Sequence, residues 1–351
     1  MLFRYSIKNG KPKKCAKIYT QSEHKIDVSK IDKDAVRIIK KLVLRGYDAY
    51  IVGGAVRDLV IGNTPKDFDI TTNAEPRVIR KLFRNARIIG KRFQLVHVFF
   101  GNKIIEVSTF RSTENGSVGN QFGTIEEDAH RRDFTINTMY FDPLNCQLID
   151  FVNGFKDLHN RKLKPVISCR CIFSEDPVRM IRAVKYSVLA ECKMSFCLKC
   201  LIYLNAHRLE EISHSRLTEE MNKILHSGHS EKIIKALYDY NLYNYLQPNA
   251  CVLLEEDTAG FYSKYFQSLK NLDNEINMKR CERQGRQLYY IIYDFLQLVF
   301  ENVGKERPVY FYTEARHFIV PLNPQRKELR FAVKLFLRKN NLISRFPKKK
   351  A

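Results

Sequence analysis

The stretch from Tyr50 to Thr72, Y-I-V-G-G-A-V-R-D-L-V-I-G-N-T-P-K-D-F-D-I-T-T, constrains the fold more than any other part of this chain. The apolar run Tyr50–Val52 stops at the glycine pair Gly53-Gly54, the pattern of a strand entering a tight turn. The following A-V-R-D-L-V-I reads as a helix that Gly62-Asn63 closes. Lys66 to Thr71 reads as a second strand, on which Asp67 and Asp69 fall two residues apart and therefore on one face. Neighbouring carboxylates repel unless a cation lies between them, and a divalent metal is the usual one. The expectation is a magnesium site held by Asp67 and Asp69 beside a glycine turn, which points to phosphate chemistry. Lacking Cβ atoms, the glycines let backbone N–H groups approach phosphate oxygens. The string is neither G-x-x-x-x-G-K-[ST] nor G-x-G-x-x-G, and a glycine pair alone is only a turn. Arg57, on the same loop-to-helix segment, adds a positive group suited to a triphosphate.

Charge supports that direction. The 351 residues carry 60 Lys and Arg against 38 Asp and Glu, a formal net charge of +22. An excess that large predicts a polyanionic partner, nucleic acid ahead of an anionic membrane. The most apolar stretch, Leu288 to Phe300, is short and broken by Asp294 and Gln297, so a buried helix is expected there and no membrane span. The first residues, M-L-F-R-Y-S-I-K-N-G-K-P-K-K, lack the apolar core of a secretory signal. The 9 cysteines therefore argue for reduced thiols in a cytoplasmic protein. Cys197-x2-Cys200 has metal-ligand spacing, but no second pair stands at zinc-ribbon distance, so these read as ordinary thiols.

The patterning divides the chain. Residues 1–30 read as a basic N-terminal arm, 31–165 as a mixed α/β head, 166–230 as a helical neck, 231–340 as a helical body and 341–351 as a basic tail. Within the head, a helix is expected over 31–45 and another from Glu75-Pro76 to Phe83. Strands Leu95–Phe100 and Lys103–Phe110 are expected about a Gly101-Asn102 turn, then a loop over 111–124, a helix Ile125–His130 and a strand from Gln147. Glu106 sits among apolar strand neighbours, where a carboxylate is out of place on an inner face unless paired or metal-bound. His97, between Val96 and Val98, reads as a core histidine. Arg131-Arg132-Asp133-Phe134-Thr135-Ile136-Asn137 pairs two arginines with an acid, a set suited to clamping phosphates and ribose, or simply a basic helix start.

In sequence order, G-G-x-V-R-D, D-F-D and R-R-D-F-T-I-N resemble the class II nucleotidyltransferases, the family of tRNA CCA-adding enzymes and bacterial poly(A) polymerases. D-F-V-N-G-F-K-D (Asp150, Gly154, Asp157) is similar to the family's hinge motif, E-D-P-V-R-M-I-R-A-V-K-Y (Glu175 to Tyr186) to its base-selecting helix, and Arg216-Leu217-x-x-Glu220 to its neck motif. The likeness spans roughly residues 35 to 250. It implies a polymerase-β-like head on a small mixed sheet, followed by an all-α neck and body. It also implies that Asp67 and Asp69 hold Mg2+, with Glu106 a less certain third acid. Asp133 matches an acid needed for activity and Arg132 a nucleotide contact. Gly53, Gly54 and Arg57 match the triphosphate cradle. Asp176 and Arg179, with Arg182 nearby, match the residues that read the incoming base. A carboxylate and a guanidinium three residues apart offer acceptors and donors side by side for a base edge. Lys185 stands where the family usually has Arg, so no base-reading role is carried onto it.

Within the family, Gly90-Lys91-Arg92-Phe93-Gln94-Leu95-Val96-His97-Val98 resembles the segment that marks the bacterial poly(A) polymerases. The likeness implies a template-independent enzyme that adds AMP from ATP to RNA 3′ ends, releases pyrophosphate and promotes mRNA polyadenylation and turnover. The alternatives are a tRNA CCA-adding enzyme and, from another class, a non-catalytic RNA-binding protein, which intact Asp67, Asp69 and Asp133 disfavour. No RNA-binding motif is legible. The helical second half, with its basic stretches Lys270–Arg286 and Arg326–Lys349, offers broad phosphate contact, and its abundant Tyr and Phe read more readily as helix core than as base-stacking platforms.

Overall fold

The computed structural model describes residues 2–8, 10–90, 94–101, 103–112 and 121–343. In chain order, the first half contains β1 (Leu2–Lys8), β2 (Lys11–Tyr19), α1 (Gln21–His24), α2 (Lys33–Val43), β3 (Ala49–Val52), α3 (Gly54–Val60), β4 (Asp69–Thr72), α4 (Pro76–Leu82), β5 (Ala86–Ile89), β6 (Leu95–Phe100), β7 (Lys103–Thr109), α5 (Ile125–His130), β8 (Met139–Asp142), β9 (Gln147–Asp150) and α6 (Gly154–His159). Local signals account for many of these. α2 begins where the Asp32 carboxylate accepts the N–H groups of Asp34 and Ala35, and it buries Ala35, Ile38, Ile39 and Leu42 along one stripe. α5 opens on a capping box in which Thr124 and Glu127 satisfy each other's backbone N–H groups.

Nine strands form one sheet in the order β1-β2-β9-β8-β3-β4-β7-β6-β5. β4 and β7 run parallel, and the other pairs of this sheet are antiparallel. One face packs Ala16, Tyr50, Val52, Phe110, Tyr140 and Ile149 against Ile125 and Ala129 of α5. The other face buries Ile51, Ile70, Val107, Phe141 and Leu148.

Three expectations need correcting here. Residues 1–30 are not a loose arm: β1 and β2 form an antiparallel hairpin that joins the sheet through Lys17↔Asp150, Ile18↔Ile149 and Tyr19↔Leu148. Net charge hid this, because alternation in the hairpin is carried by lysines and not by a clean apolar pattern. The second strand starts at Asp69 and not at Lys66, so Asp67 precedes it; the alternation nevertheless holds, with Asp67 and Asp69 exposed and Phe68 and Ile70 buried. The change of architecture also comes later than residue 165. The described residues form two compact units, one from 1–176 and 190–198, the other from 177–189 and 199–351. The late return of 190–198 follows from a short parallel pairing of β10 (Lys162–Leu163) with β11 (Lys193–Met194), a non-local contact invisible to periodicity. Asn102 of the expected turn, residues 113–120 of the expected loop, Lys91-Arg92-Phe93 and the tail from 344 onward lie outside the described residues.

Beyond α6, the remaining elements are helical apart from β10 and β11. They are α7 (Ile172–Glu175), α8 (Val178–Leu189), α9 (Phe196–Asn205), α10 (His214–His226), α11 (Ser230–Asp239), α12 (Tyr243–Leu246), α13 (Pro248–Glu256), α14 (Phe261–Asn277), α15 (Gln284–Val303), α16 (Pro308–Phe318) and α17 (Arg326–Lys339), with short 3-10 turns between. α15 holds the apolar run and buries Leu288, Ile291, Ile292 and Leu296, as expected of a core helix. Among the described residues no helix is long and apolar enough to cross a membrane. Tyr243, Tyr265, Phe261, Phe311, Phe318 and Phe336 are wholly buried, so these aromatics form core. Tyr243 and Tyr265 meet hydroxyl to hydroxyl at 2.6 Å, and burial raises both phenols above the ordinary range.

Candidate active site

The sheet builds the site by register. Val52 lies opposite Asp69, Asp69 opposite Glu106, and Glu106 opposite His97, so one row on one face crosses β3, β4, β7 and β6. Directly paired residues share a face and stand one strand spacing apart, about 4.8 Å. Asp69 and Glu106 are therefore neighbours although 37 residues separate them in sequence. Glu106 is exposed and lies in polar contact with His97, Nε2 to Oε1 at 3.2 Å. His97 is thus a partner of the acid row and not simply a core residue. The turn into α3 passes beside Asp69: a Cβ built on Gly53 would lie 3.8 Å from Asp69 Oδ2, and Gly53 has φ 75°, a conformation that other residues rarely adopt.

Asp67 and Asp69 offer exposed carboxylate oxygens, the hard donors that magnesium prefers, beside the Gly53 turn. That donor set fits the ion. Among the described residues, no group of three or more His, Cys, Asp and Glu side chains is arranged as a ready metal cage. Glu106 stands beside Asp69 by register, with its carboxylate turned to His97.

The R-R-D-F-T-I-N segment reaches this turn through Arg57. The Arg57 guanidinium is 4% exposed. It donates through Nη1 to Asn137 Oδ1 at 3.0 Å, and through Nε and Nη2 to Asp58 Oδ1 at 2.9 and 2.7 Å. Gly54 lies against it, with a built Cβ 3.6 Å from Nη2. Arg57 is therefore a tie between the glycine turn and Asn137 as much as a wall of a cradle. The D-x3-G-x2-D motif locks onto the same segment. Thr135 Oγ1 donates to Asp157 Oδ2 at 2.9 Å, and a Cβ on Gly154 would fall 2.1 Å from the Thr135 carbonyl oxygen, so only glycine fits. Asp150 accepts the N–H groups of Val152, Gly154 and Phe155; burial still pushes its carboxyl up.

Asp133 lies half-buried in the turn after α5, where its carbonyl accepts the Val166 N–H at 3.0 Å. Arg132 is engaged by a residue that motif reading overlooked. Asp128, 1% exposed, receives Arg132 Nη2 at 2.8 Å, Arg131 Nη2 at 3.0 Å and the Tyr140 hydroxyl at 2.9 Å. Burial alone would push the Asp128 carboxyl up, but Arg132 and then Arg131 outweigh it and hold it below the ordinary range. Arg132 is raised well above its usual value because the attraction of Asp128 outweighs burial. Nearby Arg111 is pulled down to about 10, first by burial and then by the charge of Arg131. The signal that would have found Asp128 is its spacing: i, i+3 and i+4 to two arginines from the last turn of a capped helix.

The base-selecting segment divides between the units, and each part is described by itself. Asp176 follows α7 in extended backbone, half-buried. In the helical unit, Arg179 is buried on α8, and Arg182 Nη2 donates to the Tyr186 hydroxyl at 3.3 Å while the guanidinium stands over that ring. Lys185 forms a 2.6 Å ion pair with Glu220 of α10, the side chains 5% and 7% exposed. Burial opposes ionisation of Glu220, yet Lys185, Arg182 and Lys223 drive its carboxyl down to about 2. Lys185 is thus spent on joining α8 to the R-L-x-x-E segment.

A family model described as the poly A polymerase head domain matches residues 49–164, and one described as a probable RNA and SrmB-binding site of polymerase A matches residues 201–254. The chain is 39% identical to poly(A) polymerase I of Salmonella typhi over 276 residues, covering 74% of this chain and 59% of that protein. It is 34% identical to the CCA-adding enzyme of Bacillus pumilus over 218 residues, covering 60% of this chain and 54% of that protein. The chain thus spans 59% and 54% of the length of these two curated relatives. The crystal structure of the Bacillus stearothermophilus CCA-adding enzyme in complex with CTP superposes with a TM-score of 0.55 at 23% identity, covering 88% of this chain and 93% of that one, a likeness of fold.

Proposed function

We propose that this chain is a class II nucleotidyltransferase, a template-independent poly(A) polymerase that adds AMP from ATP to RNA 3′ ends; the head-domain match over residues 49–164 supports the family. The observation that carries this reading is the placement of the exposed Asp69 carboxylate 3.8 Å from the Cβ position of the glycine turn, with Glu106 on the next strand. An acid row and a glycine turn side by side are what an attacking hydroxyl and a triphosphate need. The greater identity to a poly(A) polymerase than to a CCA-adding enzyme supports the choice of ATP.

Asp67 and Asp69 would hold Mg2+, with Glu106 as a further acid at the row's edge. Bound there, Mg2+ supplies Lewis acidity toward the attacking oxygen and the leaving pyrophosphate. The chain's own residues position the reactants. Gly53 and Gly54 admit the triphosphate close to backbone N–H groups. Arg57 and Asn137 fix that turn against the segment carrying Asp133. Arg131 and Arg132, clamped on Asp128, bring positive charge to the nucleotide. Asp176, Arg179 and Arg182 read the base. The RNA 3′ oxygen attacks the α-phosphorus of ATP, its proton passes to solvent or a carboxylate, and pyrophosphate departs. A cytoplasmic enzyme of this kind promotes mRNA polyadenylation and turnover.

The test uses purified protein, Mg2+, a generic RNA or a tRNA lacking its CCA end, and each labelled nucleoside triphosphate in turn. Long A tracts on the generic RNA are the expected result. Addition of C-C-A to tRNA alone would replace this reading with a CCA-adding enzyme. Binding to either RNA without incorporation would leave a non-catalytic RNA-binding protein.

A further inference from the structure

The N-terminal hairpin is not absorbed by the proposed chemistry. The first 22 residues hold six basic side chains, Arg4, Lys8, Lys11, Lys13, Lys14 and Lys17, and no acid. Pairing with β9 makes this charge part of the sheet that carries the acid row. The row can be followed strand by strand: Ile18↔Ile149, Ile149↔Tyr140, Tyr140↔Val52, Val52↔Asp69, Asp69↔Glu106. Ile18 and Ala16 thus lie on the face of Asp69, and Ala16 packs in the core of that face. The register of β1 with β2 shifts between Arg4 and Tyr5, from Arg4↔Ala16 to Tyr5↔Lys14, which leaves Cys15 as the extra residue of a bulge. One extra residue inverts the alternation beyond it. Without it Lys14 would follow Ala16 on the acid face. With it, Lys13 (opposite Ser6) and Lys11 (opposite Lys8) stand there instead, both exposed, on the side to which Arg4 also points. Lys14 is on the reverse face, with its ammonium 3.2 Å from the Phe3 ring centroid.

We propose that the hairpin face bearing Lys11 and Lys13 is a docking surface for the RNA backbone upstream of the 3′ end. The inference rests on the RNA-polymerising reading of the site. It adds which way the strand leaves the site: toward the hairpin on the acid-bearing side, past α5, which covers the sheet face in between. Exposed ammonium groups at two-residue spacing hold successive phosphates, and the attraction needs no base identity. From β4 to β2, which carries Lys11 and Lys13, there are four strand steps, about 19 Å. A stacked strand rises about 3.4 Å per nucleotide, so the hairpin meets RNA about six or more nucleotides from the growing end.

The experiment measures affinity for 5′-labelled oligoadenylates of 4 and 20 nucleotides across a salt series, alongside AMP incorporation on both. The variants are Lys11→Ser/Lys13→Ser and, from the reverse face, Lys14→Ser. The double variant is expected to bind the 20-mer about five- to tenfold more weakly at low salt and to shallow its log–log salt slope by about 1.4, the share of two phosphate contacts. Binding of the 4-mer and incorporation on it should be unchanged, and Lys14→Ser should resemble the parent. An unchanged slope in the double variant would overturn the proposal. So would an equal loss on the 4-mer, an equal loss in Lys14→Ser, or unchanged RNA binding with a shift to higher-mass species, which would assign the lysines to guarding a strand edge. Absence of AMP incorporation by the parent protein on every RNA would instead remove the polymerase reading, and the binding arms would still report on the hairpin.

Discussion

Asp69 and Asp128 are carboxylates of the same unit with opposite surroundings. Asp69 is exposed at the start of β4, against a glycine that leaves room beside it. Asp128 is 1% exposed, held by two arginines and a tyrosine, with its ionised form favoured by the charges around it. Tyr140, which donates to Asp128, lies opposite Val52, and Val52 lies opposite Asp69. The two acids are thus linked through one row of the sheet. The difference teaches a division of labour. An acid that is to meet metal and substrate must stay exposed to them, whereas an acid that orients two arginines is buried with them.

The sharpest break of the comparison is Asp69→Asn. Incorporation should fall by about a thousandfold or more, the scale of several kcal/mol of lost charge stabilisation. Thermal stability and RNA retention should stay near those of the parent. Retained activity in a labelled-ATP assay would remove Asp69 from the metal assignment.

Asp128→Asn should do the reverse. It leaves Arg131 and Arg132 partly buried without their counter-charge, a loss on the order of 3–5 kcal/mol when one partner of a buried pair is removed. A lower denaturation midpoint is the expected result, with activity recovering in part at low temperature where the fold persists. A fully stable but inactive variant would mean that Asp128 serves chemistry and not positioning.

The smallest effect carries the comparison into the helical unit, where Lys185–Glu220 is the counterpart of the Asp128 cluster. The folded Glu220 pKa, about 2, lies below its ordinary value of 4.5. Its contribution is therefore fully present above about pH 4.5 and is lost as pH falls toward 2, on the order of 3 kcal/mol in all. Glu220→Gln should flatten the fall in unfolding free energy between pH 5 and about 3, as followed by circular dichroism in denaturant. An unaltered pH slope would show that the pair is not the origin of that acid sensitivity.

Much of the site was legible because its signals are local. Gly53-Gly54 before an apolar-flanked acid pair requires only neighbours in sequence, and the alternation of Asp67, Phe68, Asp69 and Ile70 survived the later start of β4. The apolar spacing over 31–45 and the string Ile125–His130 likewise pointed to helices where α2 and α5 lie. The structural consequence of the R-R-D-F-T-I-N string was less legible. Asn137 meets Arg57 from 80 residues away, and nothing in either segment alone specifies that hydrogen bond.

What the sequence by itself determined, then, is the set of chemical groups and their order: an acid pair beside a glycine turn, an arginine-rich clamp, and an excess of positive charge. What only the tertiary structure decided is which of them meet. Pairing β4 in parallel with β7 set Glu106 beside Asp69 and gave it His97 as a partner. Burial turned Asp128 and Lys185 inward as ties. Pairing of β2 with β9 turned an apparent basic arm into part of the sheet that carries the acid row, and one bulge chose which lysines share the acids' face. The physical reason is the same throughout. Strand register and burial are set by contacts between distant segments, and a one-residue change of register carries a side chain to the other face.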